Sequence, residues 1–198
     1  VTLRDGTLEV LDVLGPATGV AYAVLAAFRN RLCWIAGAVS SVCAAVLSGA
    51  NKLPMQAALQ LIYVGMAVYG WWSWSRSRND GEVEVGVWPL RWHLVAGLAL
   101  AAISLVSARW LPSNVAAWPL LDSLAFWFSL LATWLAARAR LENWLYWIVI
   151  NGVMVFLFYA QEVWGMAVLS VLLMGVAVSG FIAWRRRFRV QGAQAVAA

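Results

Sequence analysis

Histidine occurs once in these 198 residues, cysteine twice, and charged side chains make up only 12% of the chain. Metal centres and acid–base dyads are assembled from clustered His, Cys, Asp or Glu, so a sequence this poor in them has little from which to build a catalytic site. Ser and Thr are present, but none has a basic partner close in sequence, and the Gly-x-Ser-x-Gly nucleophile pattern is absent. Cys33 and Cys43 fall within or beside one apolar segment, ten residues apart. On a straight helix that separation is too long for a disulfide, and both read as small core residues. No enzyme and no cofactor is expected.

Charge is scarce because apolar residues take its place. They form 64% of the chain, and the mean hydropathy is +0.78, well outside the range of soluble domains. Runs nearly free of charge cover Leu11–Phe28, Trp34–Ala50, Pro54–Trp74, Trp92–Ala108, Trp118–Ala137, Trp144–Tyr159 and Val163–Trp184. Each is near the ~20 residues that a helix needs to cross hydrocarbon, so the expectation is an all-α membrane protein of seven transmembrane helices.

The basic residues test that count, because Lys and Arg accumulate on the cytoplasmic side. With the N-terminus outside, eleven fall inside: Arg29, Arg31, Arg76, Arg78, Arg91, Arg138, Arg140, Arg185, Arg186, Arg187 and Arg189. Three fall outside: Arg4, Lys52 and Arg109. One helix more or fewer would scramble this split, so an odd number of spans and a cytoplasmic C-terminus are expected. The net charge of +5 follows from this flanking pattern rather than from a basic face for nucleic acid, which is not an expected partner. The first ten residues lack the basic region of a signal peptide.

Two features recur. Arg29-x-Arg31-Leu32 precedes Trp34 and Arg138-x-Arg140-Leu141 precedes Trp144, while Gly70 to Trp74 ends the third span and Gly180 to Trp184 ends the seventh. The offsets are 109 and 110 residues, so spans one to three correspond to spans five to seven. Each element returns four spans later and therefore in the same direction. A single transmembrane domain over 1–198 is expected, with repeat one at about 8–78, a linker helix at about 88–110 and repeat two at about 116–188.

Within the spans the ionisable groups are few and terminal: Asp12, Asp122, His93 and Glu162. Ion-driven carriers place such groups near the midplane, which favours passage down a gradient. The polar groups that remain are amides, hydroxyls and indoles. Trp144-x-x-Trp147-x-x-x-Asn151 places two indoles and a carboxamide on one helical face. Indole faces attract cations by ~0.5–2 kcal/mol and a carboxamide pairs with an amide, so an aromatic cation bearing an amide fits this face. Gln60 and Tyr63 share a face of the third span; Ser129 and Thr133 share one of the fifth, where bonding back to their own helix is the competing reading. Trp71, Trp72, Trp74 and Trp184 read as interfacial belt residues. A packing role is the plain alternative for each buried amide, worth ~0.6 kcal/mol per interhelical bond.

These residues resemble the PnuC family of bacterial vitamin transporters over nearly the whole chain. The similarity lies in Leu59-Gln60-x-x-Tyr63 with Tyr69-Gly70-Trp71-Trp72, in Asp122-Ser123 through Ser129, and above all in Arg140-Leu141-Glu142-Asn143-Trp144-x-x-Trp147-x-x-x-Asn151. Where many relatives have a proline after the second-span Trp, this chain reads Trp34-Ile35-Ala36-Gly37. The resemblance implies two three-helix repeats joined by a linker helix (3+1+3), as in the SWEET sugar transporters, and a homotrimer in the bacterial inner membrane. It implies facilitated diffusion of nicotinamide riboside, trapped by a cytoplasmic kinase. Trp144, Trp147 and Asn151 would hold the aromatic ring, with Gln60 and Tyr63 contributing from the third span. Thiamine, another aromatic cation, is the alternative substrate, with Glu142 as the carboxylate nearest the site. A non-transporting membrane scaffold is the alternative of a different class.

Overall fold

The computed structural model describes residues 3–50, 54–76, 78–79, 82–110 and 118–197, with side chains for 6–50, 57–76, 83–109 and 118–194. The chain is helical: α1 (Leu3–Ala27), α2 (Cys33–Ala50), α3 (Pro54–Arg76), α4 (Leu90–Trp110), α5 (Pro119–Ala137), α6 (Asn143–Ala160) and α7 (Trp164–Ala197). A small antiparallel ladder pairs β1 (Arg78–Asn79) with β2 (Glu82–Val83) between α3 and α4.

Seven helices match the seven apolar runs, but among the described residues six are long and apolar enough to cross a membrane, and α3 is not one of them. Gln56, Gln60 and the aromatic, polar-edged run from Tyr69 to Ser75 lower its apolar character. At the other end of the chain, α7 continues to Ala197. Arg, Gln and Ala are good helix formers and sustain it. Lys52 and the connection at 111–117 lie outside the described residues.

Two compact units result, Val1–Glu84 and Val85–Ala198. In the first, α2 packs against both α1 and α3; in the second, α6 packs against α5 and α7, and α4 against α5.

The hairpins α1–α2 and α5–α6 are closed by the same turn. The Arg29 N–H donates to Ala26 O at 2.9 Å and Asn30 N–H to Leu25 O at 2.9 Å; the Ala139 N–H donates to Ala136 O at 2.9 Å and Arg140 N–H to Leu135 O at 2.8 Å. This is the helix-ending motif that needs one left-handed residue, and Arg29 (φ 55°) and Ala139 (φ 50°) supply it. The turns are thus 110 residues apart. The Arg-x-Arg-Leu runs, 109 apart, are one residue out of register with them.

Beyond the turns the match continues. Trp34 lies on Gly70, where a Cβ would overlap the indole, and meets Trp74 edge-on with centroids 5.5 Å apart at 86°. Trp144 lies on Gly180, where a Cβ would stand 2.8 Å from the indole, and meets Trp184 at 5.5 Å and 86°. Trp74 and Trp184 are 1% and 0% exposed, so they are core residues rather than the belt residues expected. A glycine one helical turn earlier opens the seat in which they are buried. Trp71 is partly buried and Trp72 exposed, and Arg31 sits 4.9 Å over the first ring and Arg76 4.6 Å over the second. Cys33 and Cys43 are free and buried.

Candidate functional site

The face Trp144, Trp147, Asn151 begins at the first turn of α6. Trp144 is 3% exposed and held by Gly180 and Trp184. Its indole N–H is buried without a hydrogen-bond partner, as is that of Trp34; packing alone positions both rings. Trp147, one turn on, is only partly buried. Asn151 is buried, and its Nδ2 donates to Trp147 O at 2.7 Å. That bond uses one amide proton on the helix itself, and among the described residues Asn151 Oδ1 accepts none. The deeper end of the face therefore offers a ring and a carbonyl acceptor, which suits a flat ligand carrying an amide N–H.

Gln60 and Tyr63 lie on α3 of the first unit and are both partly buried. Ser129 Oγ donates to Phe126 O and Thr133 Oγ1 to Ser129 O, each at 2.8 Å. The back-bonded reading therefore holds for both hydroxyls.

Sequence reasoning named His93 and Glu142 singly but missed that they meet, with Tyr146, at the start of α6. Glu142 Oε1 accepts the Trp88 N–H at 2.9 Å and lies 3.9 Å from His93 Nε2. His93 Nδ1 and Tyr146 Oη share a hydrogen bond of 2.9 Å. Trp88 packs edge-on against His93, with centroids 4.8 Å apart, and Tyr146 stacks on His93 and Phe128. His93 Nε2 and Glu142 Oε2 are buried with no hydrogen-bond partner. One local signal was available: Glu142 and Tyr146 are four residues apart and share a face.

The segment before α4 is strapped across this same turn. The Gly86 N–H donates to Ala139 O at 3.0 Å, the Leu141 N–H to Gly86 O at 2.9 Å, and Arg140 Nη1 to Val87 O at 3.2 Å. Gln191 Oε1 of α7 accepts the Val85 N–H at 3.3 Å. The first turn of α6, which carries Trp144 and leads to Trp147, is thereby fixed from outside its own helix.

Comparison with known proteins gives one consistent result. The family model described as nicotinamide mononucleotide transporter matches residues 9–186. The nicotinamide riboside transporter PnuC of Escherichia coli (strain K12) is 25% identical, over 96% of this chain and 90% of that one. The riboflavin/roseoflavin transporter RibM of Streptomyces davaonensis is 27% identical, over 86% of this chain and 76% of its own length. The crystal structure of the vitamin B3 transporter PnuC superposes with a TM-score of 0.73 at 22% identity, covering 90% of this chain and 82% of that one.

Proposed function

The chain belongs to the nicotinamide mononucleotide transporter family, the PnuC group of multi-pass membrane transporters, and from that premise we propose that it takes up nicotinamide riboside by facilitated diffusion. Its relatives are transporters rather than enzymes. The observation that carries the substrate reading is the deep end of the α6 face: Trp147 partly buried, with Asn151 Oδ1 unengaged beside it. A pyridinium ring gains from the indole, and the nicotinamide carboxamide donates to Oδ1. Trp144 forms the fixed wall of this face. Gln60 and Tyr63 of α3 enter the reading as further substrate contacts.

The same proposal includes the topology: two parallel three-helix repeats, α1–α3 and α5–α7, joined by α4 in a 3+1+3, SWEET-like arrangement within one transmembrane domain. The matched turns and the matched indole-on-glycine seats at a constant offset of 110 support it. All seven helices cross the bilayer, α3 included, with the N-terminus outside and the C-terminus in the cytoplasm, a reading that the eleven-to-three distribution of basic residues supports. The protein acts as a homotrimer in the bacterial inner membrane, and a cytoplasmic kinase traps the vitamin by phosphorylation.

Thiamine or another vitamin by the same route is the second reading, and the RibM similarity puts riboflavin in that comparison. Calorimetric binding to detergent-purified protein, with nicotinamide riboside, thiamine and riboflavin side by side, tests the choice. Nicotinamide riboside alone is expected to saturate, and Asn151→Ala is expected to weaken it by roughly tenfold, the scale of a lost hydrogen bond to a charged ligand. Saturation by thiamine or riboflavin instead would overturn the substrate and leave the family standing.

A further inference from the structure

Helix α7 has 34 residues, a length of about 51 Å at 1.5 Å per residue, whereas the hydrocarbon core of a bilayer is about 30 Å thick. The apolar part accounts for that thickness, since the rise from Trp164 to Trp184 is about 30 Å. Arg185 is then the first residue past the hydrocarbon, and Arg186, Arg187 and Arg189 follow it closely. From Arg185 to Arg189 the helix rises about 6 Å, which is the depth of one headgroup layer, about 5–7 Å.

The four arginines do not share a face. At 3.6 residues per turn, Arg185, Arg186 and Arg189 fall within one arc of about 100°, and Arg187 and Gln191 lie on the other side of the helix. Burial follows the same division. Arg187 and Gln191 are partly buried, and Gln191 Oε1 accepts the Val85 N–H at 3.3 Å. Arg185, Arg186 and Arg189 are exposed, and Phe188 and Val190 beside them are 37% and 47% exposed. Among the described residues none of these three arginines pairs with a carboxylate. The unit Val85–Ala198 offers few: Asp122 and Glu162 stand at its opposite end, in the first turn of α5 and just past α6. Glu142, at the same end as the arginines, is engaged by the Trp88 N–H.

We infer that the face Arg185, Arg186, Arg189 is a docking surface for the headgroup phosphates of anionic phospholipids. Guanidinium forks match phosphate oxygens bidentately, and a basic cluster directly beyond a membrane helix attracts anionic lipid through each of its charges. Gln191 ties the opposite face to the segment before α4, so the arginines stay turned outward. The depth and the apolar neighbours select a lipid over a soluble anion: a lipid answers the guanidinium groups with its phosphate and covers Phe188 and Val190 with its chains, whereas free phosphate answers only the charges. The inference is independent of which vitamin the protein carries.

The test is titration of the full chain in detergent with phosphatidylglycerol and with phosphatidylcholine, reading lipid retention by native mass spectrometry and the rise in Tm. Phosphatidylglycerol is expected to be retained and to raise the Tm, and phosphatidylcholine to do neither at the same concentration. Replacing Arg185, Arg186 and Arg189 together by Gln is expected to weaken phosphatidylglycerol binding by about a hundredfold, roughly fivefold for each charge, and to leave the lipid-free Tm unchanged because the three side chains are exposed. Lysine at all three positions keeps the charge and is expected to retain binding within a few fold. Arg109→Gln, an exposed arginine at the far end of α4, is expected to have no effect. Equal retention of the two lipids by the wild type, or unchanged phosphatidylglycerol binding in the glutamine set, would overturn the inference. So would a loss in the lysine set as large as in the glutamine set, since charge would then not be what binds. An equal rise in Tm with inorganic phosphate alone would overturn the lipid as the occupant.

Discussion

The hairpins α1–α2 and α5–α6 share a left-handed turn, an indole seated on a glycine and a second indole packed edge-on against the first. They differ in everything laid on that frame. In the first, Gly37 and Ser41 occupy the positions that Trp147 and Asn151 occupy in the second, and Leu32, exposed, occupies the position of Glu142. Only the second hairpin, among the described residues, has a strap of backbone hydrogen bonds across its turn. The shared parts are those that position one helix on another without using a polar side chain. The parts that differ are rings, amides and a carboxylate, which interact with something beyond the frame. One hairpin carries the frame alone, and the other adds polar side chains to it and a strap across its turn.

The largest expected effect strikes the shared frame. Gly70→Ala places a methyl group inside the Trp34 indole, and Gly180→Ala places one 2.8 Å from the Trp144 indole. Overpacking costs about 1–3 kcal/mol and more where nothing can give, offset by about 1 kcal/mol of helix propensity. Gly70→Ala is expected to destabilise by about 3 kcal/mol and Gly180→Ala by about 2 kcal/mol on the overpacking scale, measured by chemical unfolding in detergent. Trp34→Leu added to Gly70→Ala should recover part of the loss. If both alanines are neutral, the indole does not sit on the glycine and the comparison of the two hairpins loses its basis.

How much of this was legible in the sequence depends on how local the cause is. The helices follow from apolar runs and base-rich ends. The recurrence of Trp34 with Gly70 and of Trp144 with Gly180 is visible as a constant spacing. The register of the turns is not: matching Arg-x-Arg-Leu letter by letter gives 109, while the geometry pairs Arg29 with Ala139, two residues whose only common property is a positive φ. No side-chain pattern announces a left-handed arginine or alanine. Trp74 and Trp184 were misread because a belt rule knows only depth in the membrane, whereas their burial comes from a glycine four residues earlier and a partner ring on the preceding helix. The α6 face was legible because it lies within two turns of one helix. The His93–Glu142–Tyr146 group was not, since His93 lies 53 positions before Tyr146.

A smaller effect tests the strap that only the second hairpin carries. Glu142→Ala removes the acceptor of the Trp88 N–H and leaves a partly buried donor unsatisfied, at a cost of about 1 kcal/mol. Glu142→Gln keeps an oxygen in that place and is expected to cost much less. The counterpart change, Leu32→Ala, removes a half-exposed side chain and is expected to be nearly neutral. Hydrogen exchange at residues 85–88 should quicken in Glu142→Ala and stay slow in Glu142→Gln. Equal, unchanged exchange in both would mean that backbone bonds alone hold the strap and that the carboxylate serves something else.

The smallest effect concerns the turn itself. A non-glycine residue in the left-handed region costs about 1–2 kcal/mol, while glycine adds about 0.4–1 kcal/mol of unfolded-chain entropy. The difference favours glycine slightly, so Ala139→Gly, which removes only a methyl group, is expected to stabilise the chain by about 0.5 kcal/mol on these scales, seen as a small rise in Tm. Arg29→Gly relaxes the same backbone but also deletes a long side chain, and its gain is expected to be smaller. The order of the two is informative. If Ala139→Gly gains nothing while Arg29→Gly gains, the turn before α6 is held by the strap from Gly86 rather than by its own residues, and the second hairpin depends on its added parts even for the feature it shares with the first.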